Sequence, residues 1–428
     1  MYISIVGIVM LVVFVAVIVS KKLSALTALI AVPLVFGLIA GFGMETFTYA
    51  AAGMGGVAST FILLTFAILY FGIMLCAGLF DPLSSLVIRF MKGDPLKVVV
   101  GTAVLSALVS LDGDGTTTFM ICTTALIPVY NFLKIPKVYL VIFVLLPNAV
   151  MNFLPWGGPT ARMLSVLDID SGVLLQTLLP FMGAGIIAIL AMAYVTGLKE
   201  RKRLGTSAEA AQAGTVQVPE EEKEFRRPQL IIFNLILSLA VVVSVVAGAV
   251  SGPAAFGCGC GIALIVNYRD LKTQKRVIEY NAEGILNVVL MVLGAGILLG
   301  VLSESGMADS ISQLIVSAIP DSLGNAFNFI LALVSGPALW ILNNDAFYFG
   351  LLPVLAETAS SYGFTNLQIG IASLVGQALR ASSPVIPALY LLIQYVDVDF
   401  GEFQKKVLPY SLILMTAFLA AAFVLGVF

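Results

Sequence analysis

The chain has 428 residues, of which 60% are hydrophobic and only 11% are charged, and its formal net charge is −2. Because a soluble domain carries about 25% charged residues, this composition excludes a soluble enzyme, a disordered chain, a disulfide-rich secreted protein and a nucleic-acid-binding protein. A helical membrane protein remains, and about 20 apolar residues per spanning helix leave room for roughly ten to twelve crossings. Since the sequence has no histidine, proton transfer within it must use carboxylates.

Twelve apolar segments are predicted to lie in the membrane. Two of them, 97–133 and 322–359, are too long for one crossing and too short for two. Each has polar residues at its centre, SLDGDGTTT in the first and LNND in the second. They are predicted to be re-entrant helical hairpins, which need surrounding protein or a water-filled cavity. The other segments lie at about 2–20, 23–43, 54–79, 136–165, 172–198, 229–248, 252–267, 284–302, 366–395 and 407–428.

Two of these segments, 136–165 and 366–395, are predicted to be broken helices because proline and glycine interrupt them. The interruptions are NFLPWGGPTAR at 152–162 and RASSPVIPA at 380–388. They contain Arg162 and Arg380, and an arginine at membrane depth costs roughly 2.5–3.5 kcal/mol on insertion scales. Each arginine is therefore expected to face a cavity or a partner group.

An internal repeat relates the two halves of the chain. DIDSGVLLQTLLP at 168–180 and DVDFGEFQKKVLP at 397–409 share the pattern D-x-D-x-G-x6-L-P, and each follows a hairpin and a broken helix. Lys and Arg mark the cytoplasmic side of a membrane protein. One topology puts every basic residue except Arg162 and Arg380 on that side, together with residues 199–228. It makes the two halves inverted and both termini extracellular.

The predicted fold is therefore an all-α polytopic membrane protein with ten full crossings and two hairpins. Residues 1–198 form the first inverted repeat, 199–228 a flexible cytoplasmic linker, and 229–428 the second repeat. Each repeat has three helices, a hairpin, a broken helix and a last helix. Inverted repeats with discontinuous helices are typical of secondary transporters, which bind substrate near the midplane where the halves meet. The protein is accordingly predicted to be a transporter and not an enzyme.

Three carboxylates lie at the predicted hairpin tips, Asp112, Asp114 and Asp345. Either they form tight turns, which favour Asp and Gly, or they bind a cation. A cation role is favoured because Asn, Ser or Gly would build the same turns without burying a charge. Mg2+ and Ca2+ prefer oxygen ligands, and Thr118 is predicted to add a hydroxyl to this site.

The predicted substrate is a multiply charged anion, whose carboxylates an arginine could bind bidentately. Arg162 and Arg380 would hold it, although pairing of Arg162 with Asp168 or Asp170 at the surface stays open as an alternative. The three tip aspartates and two arginines sum to a negative charge, so a multiply charged anion would need a cation with it. Half-helix N-termini would attract the anion as well. The other predicted substrate ligands are Ser110, Thr116, Thr117, Asn152, Gly157, Gly158, Asn343, Asn344, Ser382 and Ser383.

These motifs resemble a known family along nearly the whole chain. SLDGDGTTTF, NFLPWGGPTAR, NDAFYFGLLPV and SPVIPALYLL followed by DFG are similar to the bacterial citrate–divalent metal/proton symporters (CitMHS) of the ion transporter superfamily. The resemblance implies proton-driven import of citrate complexed with a divalent cation across the bacterial inner membrane. It also implies an elevator-type homodimer with scaffold and transport domains, surrounded by lipid, without a permanently bound cofactor or nucleic acid. In the superfamily, substrate and cations bind at positions that correspond here to 110–118, 152–158, 343–345 and 382–384.

One position departs from the family pattern. Where the family often has histidine within GQ-x-x-H-x-x-SP, this chain has Arg380 in GQALRASSP. A fixed positive charge thus replaces a titratable one, which bears on substrate identity and on proton stoichiometry.

Three other functions stay open. A sodium-coupled di- or tricarboxylate transporter without metal complexation would use the same hydroxyl, amide and carbonyl oxygens for Na+. An intramembrane aspartyl protease is disfavoured, because Leu111-Asp112-Gly113 before Asp114 does not match the G-x-G-D signature. A passive channel would show unitary currents without dependence on a coupling gradient.

Overall fold

The computed structural model describes residues 2–20, 22–79, 81–91, 93–113, 115–205, 224–318, 321–384 and 386–428. Over these residues the secondary structure is helical and contains no strand. Each of the twelve predicted apolar segments contains at least one helix, which confirms the predicted all-helical membrane fold. Seven helices of the described chain are long and apolar enough to cross a membrane, and five others are apolar but shorter.

The first half of the chain follows the predicted order of long helices, hairpin, broken helix and long helix. The arms of the first hairpin are α6 and α7, joined by a 3-10 turn at Ser110–Asp112, and the first broken helix consists of α8 and α9. The helices are α1 (Tyr2–Val19), α2 (Ala25–Ile39), α3 (Glu45–Gly56), α4 (Ala58–Ala77), α5 (Asp81–Met91), α6 (Pro95–Val109), α7 (Gly115–Leu133), α8 (Lys137–Met151), α9 (Gly158–Val166) and α10 (Ser171–Leu204).

The second half repeats this order. The second hairpin consists of α16, a π-helical turn at Ala346–Leu351 and α17, and the second broken helix consists of α18 to α20. The helices are α11 (Ile231–Val246), α12 (Gly252–Asn267), α13 (Leu271–Glu304), α14 (Met307–Ala318), α15 (Asp321–Gly324), α16 (Phe327–Ile341), α17 (Leu352–Ser361), α18 (Asn366–Val375), α19 (Gln377–Arg380), α20 (Pro387–Val396) and α21 (Phe400–Val424).

The two copies of the repeated sequence have the same local structure. Asp170 caps α10, because its Oδ1 accepts hydrogen bonds from the backbone N–H groups of Gly172 and Val173 at 2.9 and 3.0 Å. Asp399 caps α21 by accepting a 2.8 Å bond from the N–H of Glu402. Aspartate is among the best N-cap residues. The pattern therefore marks the start of the last long helix in each half.

Helices α3 and α13 pack closely through glycine. A Cβ atom on Gly53 would overlap the backbone of Gly296 and Gly300, and one on Gly300 would lie 2.8 Å from the backbone N of Gly53. In lipid, small residues at such positions let backbones approach and gain dispersion contacts. This contact fixes the first and second halves against each other away from the hairpins.

Four elements differ from the predicted segments, because a search for apolar runs misses helices that are partly polar. Helix α3 precedes the predicted segment at 54–79 and bends into α4 at Val57. Helix α13 begins at Leu271, thirteen residues before the predicted start at 284, and is capped by Asp270. Hydrogen bonds from Thr273 hold the pKa of the exposed Asp270 carboxyl below its usual value. The amphipathic helices α5 and α14 were absent from the predicted segments.

The described residues at both ends of the predicted linker, 199–228, are part of the helical structure. Helix α10 continues to Leu204, and residues 206–223 lie outside the described residues. From residue 224 the chain is docked again: Phe225 is buried, and its carbonyl accepts a 3.1 Å bond from Tyr268 Oη. The backbone N–H of Arg227 donates to the carbonyl of Ala77 at 3.0 Å. The charged ends of this stretch thus belong to the helical bundle.

Two ion pairs join ends of helices that the charge pattern assigns to the cytoplasm. Lys137 Nζ lies 4.0 Å from Asp397 Oδ2, and Arg201 Nε lies 3.6 Å from Asp94 Oδ1. The first joins α8 to the end of α20, and the second joins α10 to the start of α6. Both are consistent with the predicted topology, in which these ends share one side of the membrane.

Candidate functional site

The two hairpin tips and the two helix breaks meet around one cavity of about 360 Å3. Its wall comes from both halves of the chain, as the inverted-repeat prediction requires. The polar side chains in the wall are two arginines and four carboxamides, a set that suits an anion with several oxygen atoms. These side chains are Asn148, Asn152, Arg162, Asn344, Gln377 and Arg380.

An ion pair crosses between the halves at this cavity. Arg162, on α9, places Nε 2.5 Å from Oδ1 of Asp345, at the tip of the second hairpin. The two side chains are only 22% and 15% exposed. Arg162 Nη1 also donates a 2.9 Å bond to the carbonyl of Gly158. The predicted alternative for Arg162, pairing with Asp168 or Asp170, is wrong in this structure, because Asp345 is its partner.

Arg380 lines the same cavity from the end of α19, and among the described residues it forms no ion pair with a carboxylate. Its Nη1 is buried and has no hydrogen-bond acceptor among the described residues. Leaving a buried donor unsatisfied costs about 1–3 kcal/mol, and more for a charged group. The backbone N–H of Arg380 is bonded to the carbonyl of Gly376 at 3.1 Å, so the side chain is held on a helical turn. Nη1 of Arg380 is thus available to donate a hydrogen bond to a ligand in the cavity.

A chain of polar side chains ties the first hairpin tip to the first broken helix. Asn152 Nδ2 donates to Asn148 Oδ1 at 3.2 Å, and Asn148 Nδ2 donates to Ser110 Oγ at 3.1 Å. Ser110 Oγ lies 3.2 Å from Thr118 Oγ1, and both residues are buried. Ser110 and Thr118 therefore position the tip behind the cavity wall, while Asn148 and Asn152 line the cavity itself.

A second polar group lies on the opposite side of the cavity. Gln377 Nε2 donates to Asn344 Oδ1 at 3.1 Å and to Tyr348 Oη at 3.0 Å. Tyr348 is fully buried in the π-helical turn of the second hairpin. These bonds orient the Gln377 carboxamide, which faces the cavity together with Asn344.

Three predicted ligands bond to backbone groups instead of lining the cavity. Asn343 Oδ1 accepts a 2.8 Å bond from the N–H of Ala346, the first residue of the π-helical turn. Ser382 Oγ donates to the carbonyl of Leu379 at 2.8 Å, and Ser383 Oγ donates to that of Trp340 at 2.6 Å. Their part in the site is to hold the helix breaks in shape, a role that short polar side chains often have at helix ends.

Glycines shape the wall where two half-helices begin. A Cβ on Gly157 would lie 2.7 Å from Cα and C of Asn152, so only glycine fits there. Gly113 has φ +80°, a left-handed conformation that favours glycine. Helices α7 and α9 begin at Gly115 and Gly158, and both residues line the cavity. The partial positive charges of two helix N-termini therefore add to those of the arginines.

The structure describes only some of the predicted cation ligands. Asp112 is half-buried in the 3-10 turn of the first tip. Asp114 and the side chains of Thr116 and Thr117 lie outside the described residues. Within the described part of the chain, no group of three or more acidic or cysteine side chains is arranged to hold a metal ion.

Two polar side chains of the wall were absent from the predicted site, those of Asn148 and Gln377. Each lies inside an otherwise apolar helix segment, VIFVLLPNAVM and GIASLVGQAL. A polar residue within such a segment faces protein or a cavity, so this signal was available in the sequence.

Comparison with known proteins identifies the family. The sequence matches the model of the citrate transporter family CitMHS over residues 8–376. The chain belongs to the citrate transporter family. This confirms the resemblance found in the motifs.

Two relatives in Bacillus subtilis (strain 168) match along the whole length. The chain is 44% identical over 425 residues to a citrate transporter, with 99% of both chains covered. It is 41% identical over 426 residues to a Mg2+/citrate complex secondary transporter, covering 99% of this chain and 98% of the relative.

Two solved structures share the fold of this citrate transporter family member. MtrF of Neisseria gonorrhoeae, described as one of a class of antimetabolite efflux pumps, superposes with a TM-score of 0.62 at 14% identity, covering 89% of this chain and 83% of MtrF. The YdaH transporter of Alcanivorax borkumensis has a TM-score of 0.51 at 18% identity, covering 90% and 88%. At these identities the likeness concerns the fold alone.

Proposed function

We propose that this protein imports citrate as a complex with one divalent cation, by symport with protons. The observation that carries the proposal is the pair of arginines at one cavity, one bound to Asp345 and the other with an open buried donor. Membership of the citrate transporter family and the 41% identical Mg2+/citrate complex transporter support the choice of substrate.

The charges at the cavity favour a metal complex over free citrate. Arg162, Arg380 and Asp345 together carry one net positive charge. Citrate carries about three negative charges at neutral pH, and a bound divalent cation reduces this to about one, which lowers the cost of desolvation. The complex comes closer to charge balance with these three groups than the free trianion does, and its cation offsets the negative charge that Asp112 and Asp114 add at the first tip.

In this proposal the metal ion is cargo and is coordinated largely by citrate. The described wall offers amide and backbone oxygens, which are acceptable ligands for hard cations. Asp112 and Asp114 at the first tip would complete the coordination from the protein side, with Thr118 supporting the tip through Ser110.

The ion pair between Arg162 and Asp345 supplies a site for proton coupling. A citrate carboxylate that binds Arg162 takes the place of Asp345. An unpaired buried charge is costly, so the carboxylate displaced from Arg162 is the group to which the proposal assigns the coupled proton. Proton uptake by Asp345 would then accompany substrate binding, and no histidine is required.

The orientation and assembly are part of the proposal. The basic ends of the helices lie in the cytoplasm of a bacterial cell, with the 199–228 stretch, and both termini are extracellular. The protein forms a homodimer in which a scaffold holds the moving hairpins. Protease cleavage of tags added at either terminus, in intact and opened spheroplasts, tests this orientation.

Uptake into proteoliposomes distinguishes the proposal from the sodium-coupled alternative, which hydroxyl and amide oxygens also suit. The purified protein should accumulate labelled citrate when Mg2+ or Ca2+ and an inward proton gradient are present. Replacing the proton gradient by a sodium gradient should abolish accumulation. The proposal would be overturned if another carboxylate were taken up without metal while citrate showed no metal-dependent uptake.

A further inference from the structure

We propose that the groove between α5 and α6 is a binding site for an anionic phospholipid. The groove has a volume of about 520 Å3 and lies apart from the citrate cavity, since the two share no lining residue. Helix α5 links α4 to the first arm of the first hairpin, so a ligand here would contact the entrance to the hairpin. The proposal depends on the proposed orientation only for the choice of the cytoplasmic leaflet.

The groove has a shape and a surface that suit an acyl chain. On the α5 side, Leu86 and Phe90 are 64% and 65% exposed. On the α6 side the wall is formed by Val100 and Val104, with Gly101 between them. Gly101 brings the helices together, because a Cβ there would lie 2.6 Å from Cε of Met91. Large apolar side chains on an amphipathic helix at a membrane surface are buried among acyl chains.

Two cations border this apolar groove. Arg89 is in the last turn of α5 and Lys97 in the first turns of α6, and both line the groove. Lys97 Nζ lies 5.1 Å from the centre of the Phe90 ring, so its stem lies across the groove. Neither cation has an ion pair with a carboxylate of the described chain.

The acidic residue nearest in sequence is already used. Asp94, in the turn between α5 and α6, accepts a 3.0 Å bond from the N–H of Leu96, and its Oδ1 lies 3.6 Å from Arg201 Nε. Its carboxylate is therefore engaged by Leu96 and Arg201, and it forms no ion pair with Arg89 or Lys97.

An anionic phospholipid satisfies both features. A soluble phosphate would pair with Arg89 and Lys97 and leave the apolar wall uncovered. A zwitterionic lipid would cover the wall, but its ammonium group offsets its phosphate and leaves the two cations without a net counter-charge. An anionic phospholipid places its chain along the groove and its phosphate at the two cations. Basic residues at the cytoplasmic surface attract anionic lipids.

Native mass spectrometry of the purified full-length protein in detergent tests this proposal. Phosphatidylglycerol should bind at least roughly tenfold more tightly than phosphatidylcholine with the same chains. The double variant Arg89→Gln/Lys97→Gln should lose that preference. The variant Val104→Trp, which fills the groove, should weaken binding of both lipids.

The matched control is Arg269→Gln/Lys272→Gln. It removes two exposed cations of the same membrane side without touching the groove and should bind both lipids as the original protein does.

Two outcomes would overturn the proposal. Equal binding of the two lipids would show that the headgroup charge is not recognised. Equal loss in the control variant would show that the attraction is a general surface effect. Citrate uptake is measured separately, so failure of lipid binding leaves the proposed transport function unaffected, and failure of citrate transport leaves this site untouched.

Discussion

Arg162 Nε and Asp345 Oδ1 are 2.5 Å apart, and they come from different halves of the chain. The pair joins the first broken helix to the tip of the second hairpin, directly beside the second arginine of the cavity. Asp345 therefore occupies the position that a substrate carboxylate would take on Arg162 under the proposed function. This relationship is the basis of the proposed coupling to protons.

The variant Asp345→Asn tests that coupling. Asparagine keeps the size of the side chain but neither pairs with Arg162 as an anion nor takes up a proton at physiological pH. We expect uptake of metal-bound citrate to continue down its own gradient but to lose its dependence on the proton gradient. The measurement is uptake with and without a pH difference across the membrane. The control is Asp168→Asn at the exposed surface, and retained proton dependence in Asp345→Asn would rule out the role assigned to this residue.

Removing the charge of Arg380 should weaken citrate binding strongly. Truncating one partner of a buried charged pair costs about 2–5 kcal/mol, or roughly thirtyfold and more in affinity. We expect Arg380→Gln to raise the KM for citrate accordingly, while the exposed control Arg269→Gln stays near the original value. An unchanged KM in Arg380→Gln would show that Arg380 does not contact the substrate.

Arg380→His should make transport dependent on pH at this position. An imidazole has a pKa near 6.5 when unperturbed and is charged only below that pH. We expect uptake by the variant to be highest at acid pH and to fall as the pH rises through the titration of the imidazole. Uptake is measured at several absolute pH values, with the same pH difference across the membrane each time. A profile that follows the original protein at every pH would argue against a direct electrostatic role.

Substitution by alanine should affect stability and uptake differently at two neighbouring glycines, Gly157 and Gly158. At Gly157 the added Cβ would lie 2.7 Å from the backbone of Asn152, which cannot move aside without disturbing the helix break. At Gly158 the nearest atom is Nη1 of Arg162 at 3.3 Å, the mobile end of a long side chain. We expect Gly157→Ala to lower thermal stability and abolish uptake, and Gly158→Ala to retain the fold. Thermal unfolding in detergent measures both, and equal effects would contradict this account of the break.

Gln377→Glu introduces a carboxylate of nearly the same shape into the cavity. The change adds a negative charge beside the expected position of citrate and replaces the amide that donates to Asn344 and Tyr348. Both effects should lower citrate affinity, the first by repulsion in a poorly solvated site. Binding is measured by isothermal titration with citrate and Mg2+. The control Gln377→Met removes the hydrogen bonds without adding a charge and so separates the two effects. If Gln377→Glu binds citrate as tightly as the original protein, the proposed position of the substrate is wrong.

Much of the architecture was predictable because membrane insertion imposes strong rules on a sequence. Polar residues inside a long apolar run and Pro-Gly interruptions located both hairpins and both breaks. The repeated Asp-x-Asp pattern identified the internal repeat, and the structure shows that Asp170 and Asp399 in it are the N-caps of α10 and α21. The amphipathic helices α5 and α14 were missed, because their apolar residues lie on one face only and do not form a continuous run.

The cavity was harder to predict than the fold. That both arginines would face a cavity or a partner followed from the cost of a charge at membrane depth. The identity of the carboxylate that pairs with Arg162 could not be predicted in the same way, because Asp345 is distant in sequence whereas Asp168 and Asp170 are near. Sequence order also could not separate side chains that face the cavity, such as Asn344, from neighbours that bond to the backbone, such as Asn343.

Counting both solutes in one experiment tests the central claim most directly. Proteoliposomes are loaded by an inward proton gradient in the presence of labelled citrate and Mg2+, and the citrate and Mg2+ inside are measured in the same sample. The account predicts one Mg2+ for each citrate, with both lost together in Arg380→Gln. Undiminished citrate accumulation when all divalent cations are removed by a chelator would contradict it.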